Sequence, residues 1–159
     1  PGAAPDPLLH HGDWGLYGSA EAMLFRERGT KDQGLSAFVL LAGSPPDQNL
    51  IDLYAHTGLT YKGLIPGRND DHAGVAFAYA HVSPRAQALD RAAQALDPTM
   101  LVRDREMLLE ATYQAQIAPW WTMQPDSQFW FHPGGHVAND DGLLRRNAVV
   151  AGVRSDVTF

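Results

Sequence analysis

The sequence predicts an all-β protein whose antiparallel, up-and-down strands form the sheet of a transmembrane β-barrel, with one short helix in a long loop. Apolar and polar side chains alternate along segments of about 10–12 residues, which suits the 9–11 residues that cross a bilayer obliquely. Soluble strands are typically shorter, about 5–6 residues. Turn sequences rich in Gly and Pro separate the segments, and short connections alternate with long ones. These three features together favour the barrel.

Composition limits the alternatives. The 159 residues are treated as a single domain, 1–159, with a net charge of −6 and no cysteine. An acidic chain without a basic stripe predicts no nucleic-acid partner. The absence of cysteine excludes disulfides, a thiolate nucleophile and a cysteine zinc site within this sequence. The longest apolar run, 73–80, is too short for a membrane-spanning helix.

Seven strands are expected between the turn sequences. Their approximate bounds are 13–28, 34–43, 51–62, 72–83, 104–117, 122–132 and 148–159. The exception is the alanine-rich stretch from Pro84 to Pro98, where Leu89, Ala92, Ala93 and Leu96 follow helical spacing. This stretch predicts a short helix inside a long loop.

The segment 104–117 shows the alternation most clearly. All its odd positions from Met107 to Ile117 are apolar or aromatic, and all its even positions from Glu106 to Gln116 are polar except Leu108. Because successive strand side chains point to opposite faces, the segment predicts a strand with one apolar and one polar face. A helix also fits some of these positions, but Thr112 and Tyr113 and the turn at Pro119 favour a strand.

Two architectures produce such two-faced strands. In a soluble sandwich the apolar face is the core, and this reading is favoured by alternation alone because soluble sheets are commoner. In a membrane barrel the apolar face meets lipid and the polar face lines a water-filled lumen. Strand length, alternating connections and aromatic residues at the short-turn end favour the barrel. The residues expected to form an aromatic girdle at the membrane interface are Tyr61, Trp120, Trp121 and Phe159.

Several sequence blocks carry a family resemblance. They are Tyr113-Gln114-Ala115-Gln116-Ile117-Ala118-Pro119-Trp120, Gln124-Pro125-Asp126, His132-Pro133-Gly134-Gly135 and the closing 148–159, with Lys62 to Arg68 upstream. Through these blocks the chain resembles the carbohydrate-selective, OprB-type outer-membrane porins. The resemblance covers nearly the whole chain but only part of a family member.

The resemblance implies a barrel of about sixteen strands with an aqueous channel in the outer membrane of a Gram-negative bacterium. Its implied function is passive diffusion of carbohydrates or small neutral solutes, without a cofactor and without enzymatic activity. Seven strands cannot close a barrel, so the chain is expected to be the C-terminal portion of a porin and to form about half of its transmembrane β-barrel. The expected partners are sugar or polyol solutes, outer-membrane lipid and lipopolysaccharide, and the missing N-terminal strands of the same barrel.

The polar face supplies the candidate solute contacts. Carboxylates accept hydrogen bonds from sugar hydroxyls, Arg and Lys donate to them, and an aromatic ring covers the C–H face of a sugar. Mixed charges favour a neutral polyol, and Trp130 is notable as an aromatic among amides and acids. The lumen-facing candidates are Asp52, His56, Lys62, Glu106, Glu110, Gln114, Asp126, Gln128, Trp130, Arg154 and Asp156.

Two other functions remain open from the sequence. A soluble β-sheet carbohydrate-binding domain would use the same polar face without a membrane. A metal-dependent enzyme would draw imidazole ligands from His10, His11, His132 and His136, although neither stretch matches the zinc helix motif His-Glu-x-x-His. Asp70-Asp71-His72 and Asp140-Asp141 are read as solvated loop charge rather than calcium ligands. The sequence therefore predicts no metal site and no catalytic residue.

Overall fold

The computed structural model describes residues 12–139 and 142–159, which form one antiparallel sheet with strands in chain order. Each strand pairs with the next, so the topology is the expected up-and-down meander. The seven predicted strands are confirmed. They are β1 (Leu16–Arg26), β2 (Gly34–Gly43), β3 (Ile51–Lys62), β4 (His72–Val82), β5 (Arg105–Ala118), β6 (Trp121–Phe131) and β7 (Ala148–Val157).

The sheet is a single layer within the described residues. Only Val82 and Ala86 are buried apolar side chains there, whereas Val75, Leu109 and Val153 on the apolar face are 50%, 44% and 66% exposed. A soluble sandwich would cover this face with a second sheet. No such cover exists in the part of the chain that the structure describes, so the apolar face needs another environment.

The connections fall at two ends of the sheet. Those at 27–33, 63–71 and 119–120 share one end, here called the short-turn end. The connections at 44–50, 83–104 and 132–147 share the other, here called the long-loop end. From β3 onwards short and long connections alternate as expected, whereas 44–50 is as short as 27–33.

The single helix, α1 (Pro84–Leu96), lies in the 83–104 connection, as predicted. The Ser83 side chain caps it by accepting from Ala86 N, and Pro84 occupies the first turn, where its missing N–H is harmless. Asp90 binds both the backbone N and the guanidinium of Arg103, which fastens the helix to the approach of β5. Across the described residues, no helix has the length and apolar character that a membrane crossing requires.

Asp71 holds the short-turn end together. It is 2% exposed, and its carboxylate accepts from Arg68 Nε at 2.7 Å, from Gln116 N at 2.9 Å and from the Tyr113 hydroxyl at 2.5 Å. Burial raises the pKa of Asp71, but the bonds from Tyr113, Gln116 and Arg68 outweigh it and lower the pKa overall. Asp71 therefore joins the 63–71 turn to β5 as a carboxylate.

Replacing Asp71 with Asn is expected to destabilise the sheet by about 2 kcal/mol, since it weakens hydrogen bonds to a buried charged group. The measurement is the urea concentration at the midpoint of unfolding in detergent, with unfolding monitored by circular dichroism. Asp70→Asn is the matched control, because Asp70 is exposed and only 3.6 Å from Lys62 Nζ. Equal midpoints for the two variants would contradict this role of Asp71.

Acid should remove the same contribution in the wild-type chain. Because the folded-state pKa of Asp71 lies below its ordinary value of 3.8, its contribution is complete above that value and is lost as the pH falls through the folded pKa. Urea midpoints across this range should decline more steeply for wild type than for Asp71→Asn. Parallel pH profiles would contradict the assignment.

Candidate functional site

The strand register brings the predicted lumen-facing residues of β3, β5, β6 and β7 onto one face of the sheet. His56 lies in line with Ala78, Leu108 and Trp130 across β3 to β6, and Glu110 pairs with Gln128 in the next row. Towards the short-turn end, successive rows contain Asp126, then Lys62 and Gln114, and then Asp156. Arg154 belongs to β7 on this same face, opposite Gln124. Asp52 and Glu106 lie near the long-loop end. Contact of these side chains with a solute stays a prediction.

The middle of this polar face is lined by small residues. Along β4 every second position on the polar face is Gly or Ala: Gly74, Ala76, Ala78 and Ala80. Tyr54 and His56 on β3 flank this lane on one side, and acidic and amide side chains of β5 and β6 flank it on the other. A shallow pocket opens here between Tyr54, Ala78, Ala80, Glu106, Leu108 and Trp130. The arrangement is a trough with an aromatic wall and a polar wall.

A hydrogen-bonded relay fixes the polar wall. Gln128 Nε2 donates to Glu110 Oε2 at 2.9 Å, and Trp130 Nε1 donates to Gln128 Oε1 at 3.2 Å. Gln128 is thus used as donor and acceptor at once, which orients the Trp130 ring over the trough. The Glu110 carboxylate keeps spare acceptor capacity for a hydroxyl group.

The aromatic wall contains residues that the sequence prediction did not select. The His56 ring meets Phe38 edge-on at 4.9 Å, and its centroid is 6.4 Å from that of Tyr54. Phe38 packs over Gly58, where a Cβ would lie only 2.6 Å from the ring. The even positions of Tyr54 and of the small residues of β4 predict that they lie on the polar face. Which of these residues become neighbours depends on the register between the strands.

Charges concentrate at the two ends of the trough. At the short-turn end Lys62 pairs with Asp32 and lies 3.6 Å from Asp70, while Arg154 binds its neighbour Asp156 at 2.9 Å. At the long-loop end Asp52, which lies at the register shift of β3, pairs at 2.7 Å with His81, whose odd position places it on the apolar face rather than in the trough. Glu106 there accepts from Gly134 N, so this carboxylate supports the 132–147 connection as well as facing the trough.

The four predicted girdle aromatics all lie at the short-turn end. The Tyr61 hydroxyl donates to Glu27, and the Trp120 and Trp121 rings stack with centroids 6.1 Å apart. Trp121 Nε1 also donates to Ser155 Oγ at 2.9 Å, and Phe159 is fully exposed. Their placement at a membrane interface stays a prediction.

Of the candidate metal ligands, the structure brings two together. His132 and His136 converge on Asp104, a residue that the sequence prediction did not include. His10, His11, Asp140 and Asp141 lie outside the described residues. Asp71 is already occupied by three donors, and Asp70 is exposed beside Lys62.

In the cluster of Asp104, His132 and His136, the pKa values of Asp104 and His132 are both lowered. Burial chiefly lowers the pKa of His132, and the Asp104 carboxylate only partly opposes this effect. Burial raises the pKa of Asp104, but bonds from Arg105 N and His136 outweigh it and lower the pKa overall. The cluster therefore presents a neutral imidazole beside a carboxylate.

Comparison with known proteins gives concordant matches. The family model described as carbohydrate-selective porin, OprB family, matches residues 1–159. A curated relative, Porin B of Pseudomonas aeruginosa, is 28% identical over 157 residues, which cover 94% of this chain and 33% of the relative. The solved high-pH structure of Pseudomonas putida OprB superposes with a TM-score of 0.84 and 26% identity. The superposed region covers 94% of this chain and 36% of the chain in that structure. The chain therefore spans about a third of the length of the relatives it matches.

Proposed function

This chain belongs to the carbohydrate-selective porin family, OprB, whose members are outer-membrane β-barrels, and on that basis we propose that it serves passive diffusion of carbohydrates and small neutral solutes. In this proposal the chain is the C-terminal portion of the barrel, the even-numbered face of β3 to β7 lines the water-filled lumen, and the odd-numbered face meets lipid. The solutes are sugars or polyols, and no reaction takes place on them.

The observation that carries the proposal is a single sheet with an uncovered apolar face opposite the face that carries the polar side chains of β3, β5, β6 and β7. Hydrocarbon is a suitable neighbour for the apolar face, and water for the polar face. The outer edges of β1 and β7 have no partner strand within the described residues, and lipid cannot satisfy their N–H and C=O groups. Further strands of the same barrel are therefore proposed as the partners of both edges.

The trough suits a solute that must bind weakly and leave again. Sugar hydroxyls can exchange hydrogen bonds with Glu110 and Gln128, while the Trp130 ring offers an apolar surface to a C–H face. Charges of both signs at the ends of the trough give no strong preference for one kind of ion. The comparisons support neither a soluble carbohydrate-binding domain nor a metal-dependent enzyme.

Removing the Trp130 ring should weaken sugar binding in the channel. Trp130→Ala in the complete barrel is expected to raise the dissociation constant about threefold to tenfold, equivalent to the ~1 kcal/mol contribution of an aromatic contact. The measurement is the block of single-channel ion current by added sugars in planar bilayers.

Two matched variants serve as controls for Trp130→Ala. Trp130→Phe keeps a ring and should retain most of the affinity, whereas Phe129→Ala alters the neighbouring residue on the apolar face and should leave sugar binding unchanged. If Trp130→Ala bound sugars as tightly as Phe129→Ala, Trp130 would have no place in the solute path.

Arginine substitutions on β7 should distinguish the two faces. Val153 is on the apolar face near the middle of the strand, so Val153→Arg is expected to cost about 2–4 kcal/mol of folding free energy in lipid. Val150→Arg places the same charge on the polar face and should be tolerated. The measurement is the folded fraction in vesicles as a function of urea, and equal losses for both variants would argue against the assigned faces.

A further inference from the structure

Three side chains from two separate parts of the chain converge at the long-loop end of the sheet. Asp104 directly precedes β5, His132 directly follows β6, and His136 comes four residues later. His136 Nδ1 is 2.7 Å from Asp104 Oδ1, and His132 Nδ1 is 3.9 Å from the same oxygen. One ligand atom from each residue lies within 4.8 Å of the other two.

The backbone holds this convergence in place. Asp104 N donates to Gly135 O at 3.0 Å, and Gly135 N donates to His132 O at 2.7 Å. His132 and His136 have φ values of 52° and 74°, and they are the only residues other than glycine with positive φ in 12–139 and 142–159. Such a conformation is unfavourable for a side-chain-bearing residue, and it persists only where the surrounding structure requires it. The turn thus directs both imidazoles towards one carboxylate.

One atom of the cluster lacks a partner. His132 Nδ1 is buried, and it is the only such side-chain nitrogen or oxygen in the described residues without a hydrogen bond. Leaving a buried polar atom unsatisfied is unfavourable, because no hydrogen bond replaces the ones it would make to water. Asp104 Oδ1 lies 3.9 Å from His132 Nδ1, too far for a hydrogen bond but suitably placed to share a bound cation.

The distances fit a small cation between the three ligand atoms. With bonds of about 2.0–2.1 Å, a tetrahedral ion separates its ligand atoms by about 3.3 Å. The two imidazole-to-carboxylate distances, 2.7 Å and 3.9 Å, lie on either side of that value. A shift of well under 1 Å in each ring would equalise them.

The ligand set selects the class of metal. Imidazole nitrogens with one carboxylate oxygen suit zinc and neighbouring first-row transition metals, whereas calcium and magnesium prefer oxygen ligands alone. The ion would replace the proton that His136 Nδ1 shares with Asp104 Oδ1, and Arg105 Nη1 stays on the other carboxylate oxygen, Oδ2, at 3.0 Å. The four-residue interval from His132 to His136 is also a spacing that zinc sites use.

We propose that Asp104, His132 and His136 form a binding site for one divalent transition-metal ion, with zinc the best fit, which fastens the 132–147 connection to the start of β5. Three protein ligands leave a coordination position for water. Because Gly134 within the same turn donates to Glu106 beside the trough, the ion would fix the position of the connection at the channel entrance.

The test is calorimetric titration of Zn²⁺ into the complete barrel in detergent after chelator treatment. The double variant His132→Asn/His136→Asn removes two ligands while retaining a residue type that tolerates positive φ. The wild-type barrel should bind one Zn²⁺ more per chain than this variant, or bind it at least about tenfold more tightly, since even loss of an outer-shell contact costs 10–100-fold. Identical binding isotherms for the two proteins would overturn the proposal.

Two controls make the outcome specific. His72→Asn removes an imidazole at the opposite end of the sheet and should leave the zinc isotherm unchanged. Asp104→Asn should weaken binding without altering the strand content measured by circular dichroism. Unaltered zinc affinity in Asp104→Asn would also count against the site, as would an equal loss in His72→Asn. Sugar block of ion current is read separately, so failure of the metal site leaves the proposed diffusion function untouched.

Discussion

The structure depends on one constraint: every backbone N–H and C=O group within hydrocarbon must find its hydrogen-bond partner in the protein. A meander of antiparallel strands satisfies this requirement strand by strand, and β2 to β6 are paired on both sides. Side chains then decide which face meets which solvent. Since the sheet has no second layer in the described residues, its stability cannot come from a packed core of the kind found in soluble proteins. In the proposed barrel, lipid on one face and water on the other replace that core.

The same constraint explains how polar groups are distributed. Within the strands, polar side chains occupy the face that carries Glu110, Gln128 and Trp130, where water or a solute can satisfy what the protein does not. Carboxylates that accept several hydrogen bonds from protein groups are at the sheet ends. Asp71 ties a turn to β5 at the short-turn end, and Asp90 ties α1 to Arg103 at the long-loop end.

Much of this arrangement was predictable from the sequence because a strand has a side-chain period of two. Alternation along 104–117 identified β5 and assigned its faces, and the turns at either side placed the neighbouring strands. For β1 the observed strand, Leu16–Arg26, is shorter than the expected 13–28 and has a register shift between Met23 and Phe25. An irregular ladder breaks the period on which the prediction rests.

Features that depend on register or loop geometry were not predictable. The lane of small residues along β4 becomes a trough only when β3 and β5 are placed beside it. The meeting of Asp104 with His132 and His136 needs the long connections to fold back, and no local spacing relates position 104 to position 132. Asp71 was expected to be solvated loop charge, but it is nearly fully buried because Tyr113 and Gln116 of β5 reach it.

The account is tested most directly by thiol labelling, since the chain has no cysteine of its own. Single cysteines would be placed at Leu109 and Val153 on the apolar face, and at Glu110 and Arg154 on the polar face, in the complete barrel in liposomes. A small, membrane-impermeant maleimide should react at positions 110 and 154 and not at 109 and 153. A lipid-soluble probe should give the reverse order. Equal reaction of the water-soluble reagent at all four positions would contradict the assignment of lipid to one face and water to the other.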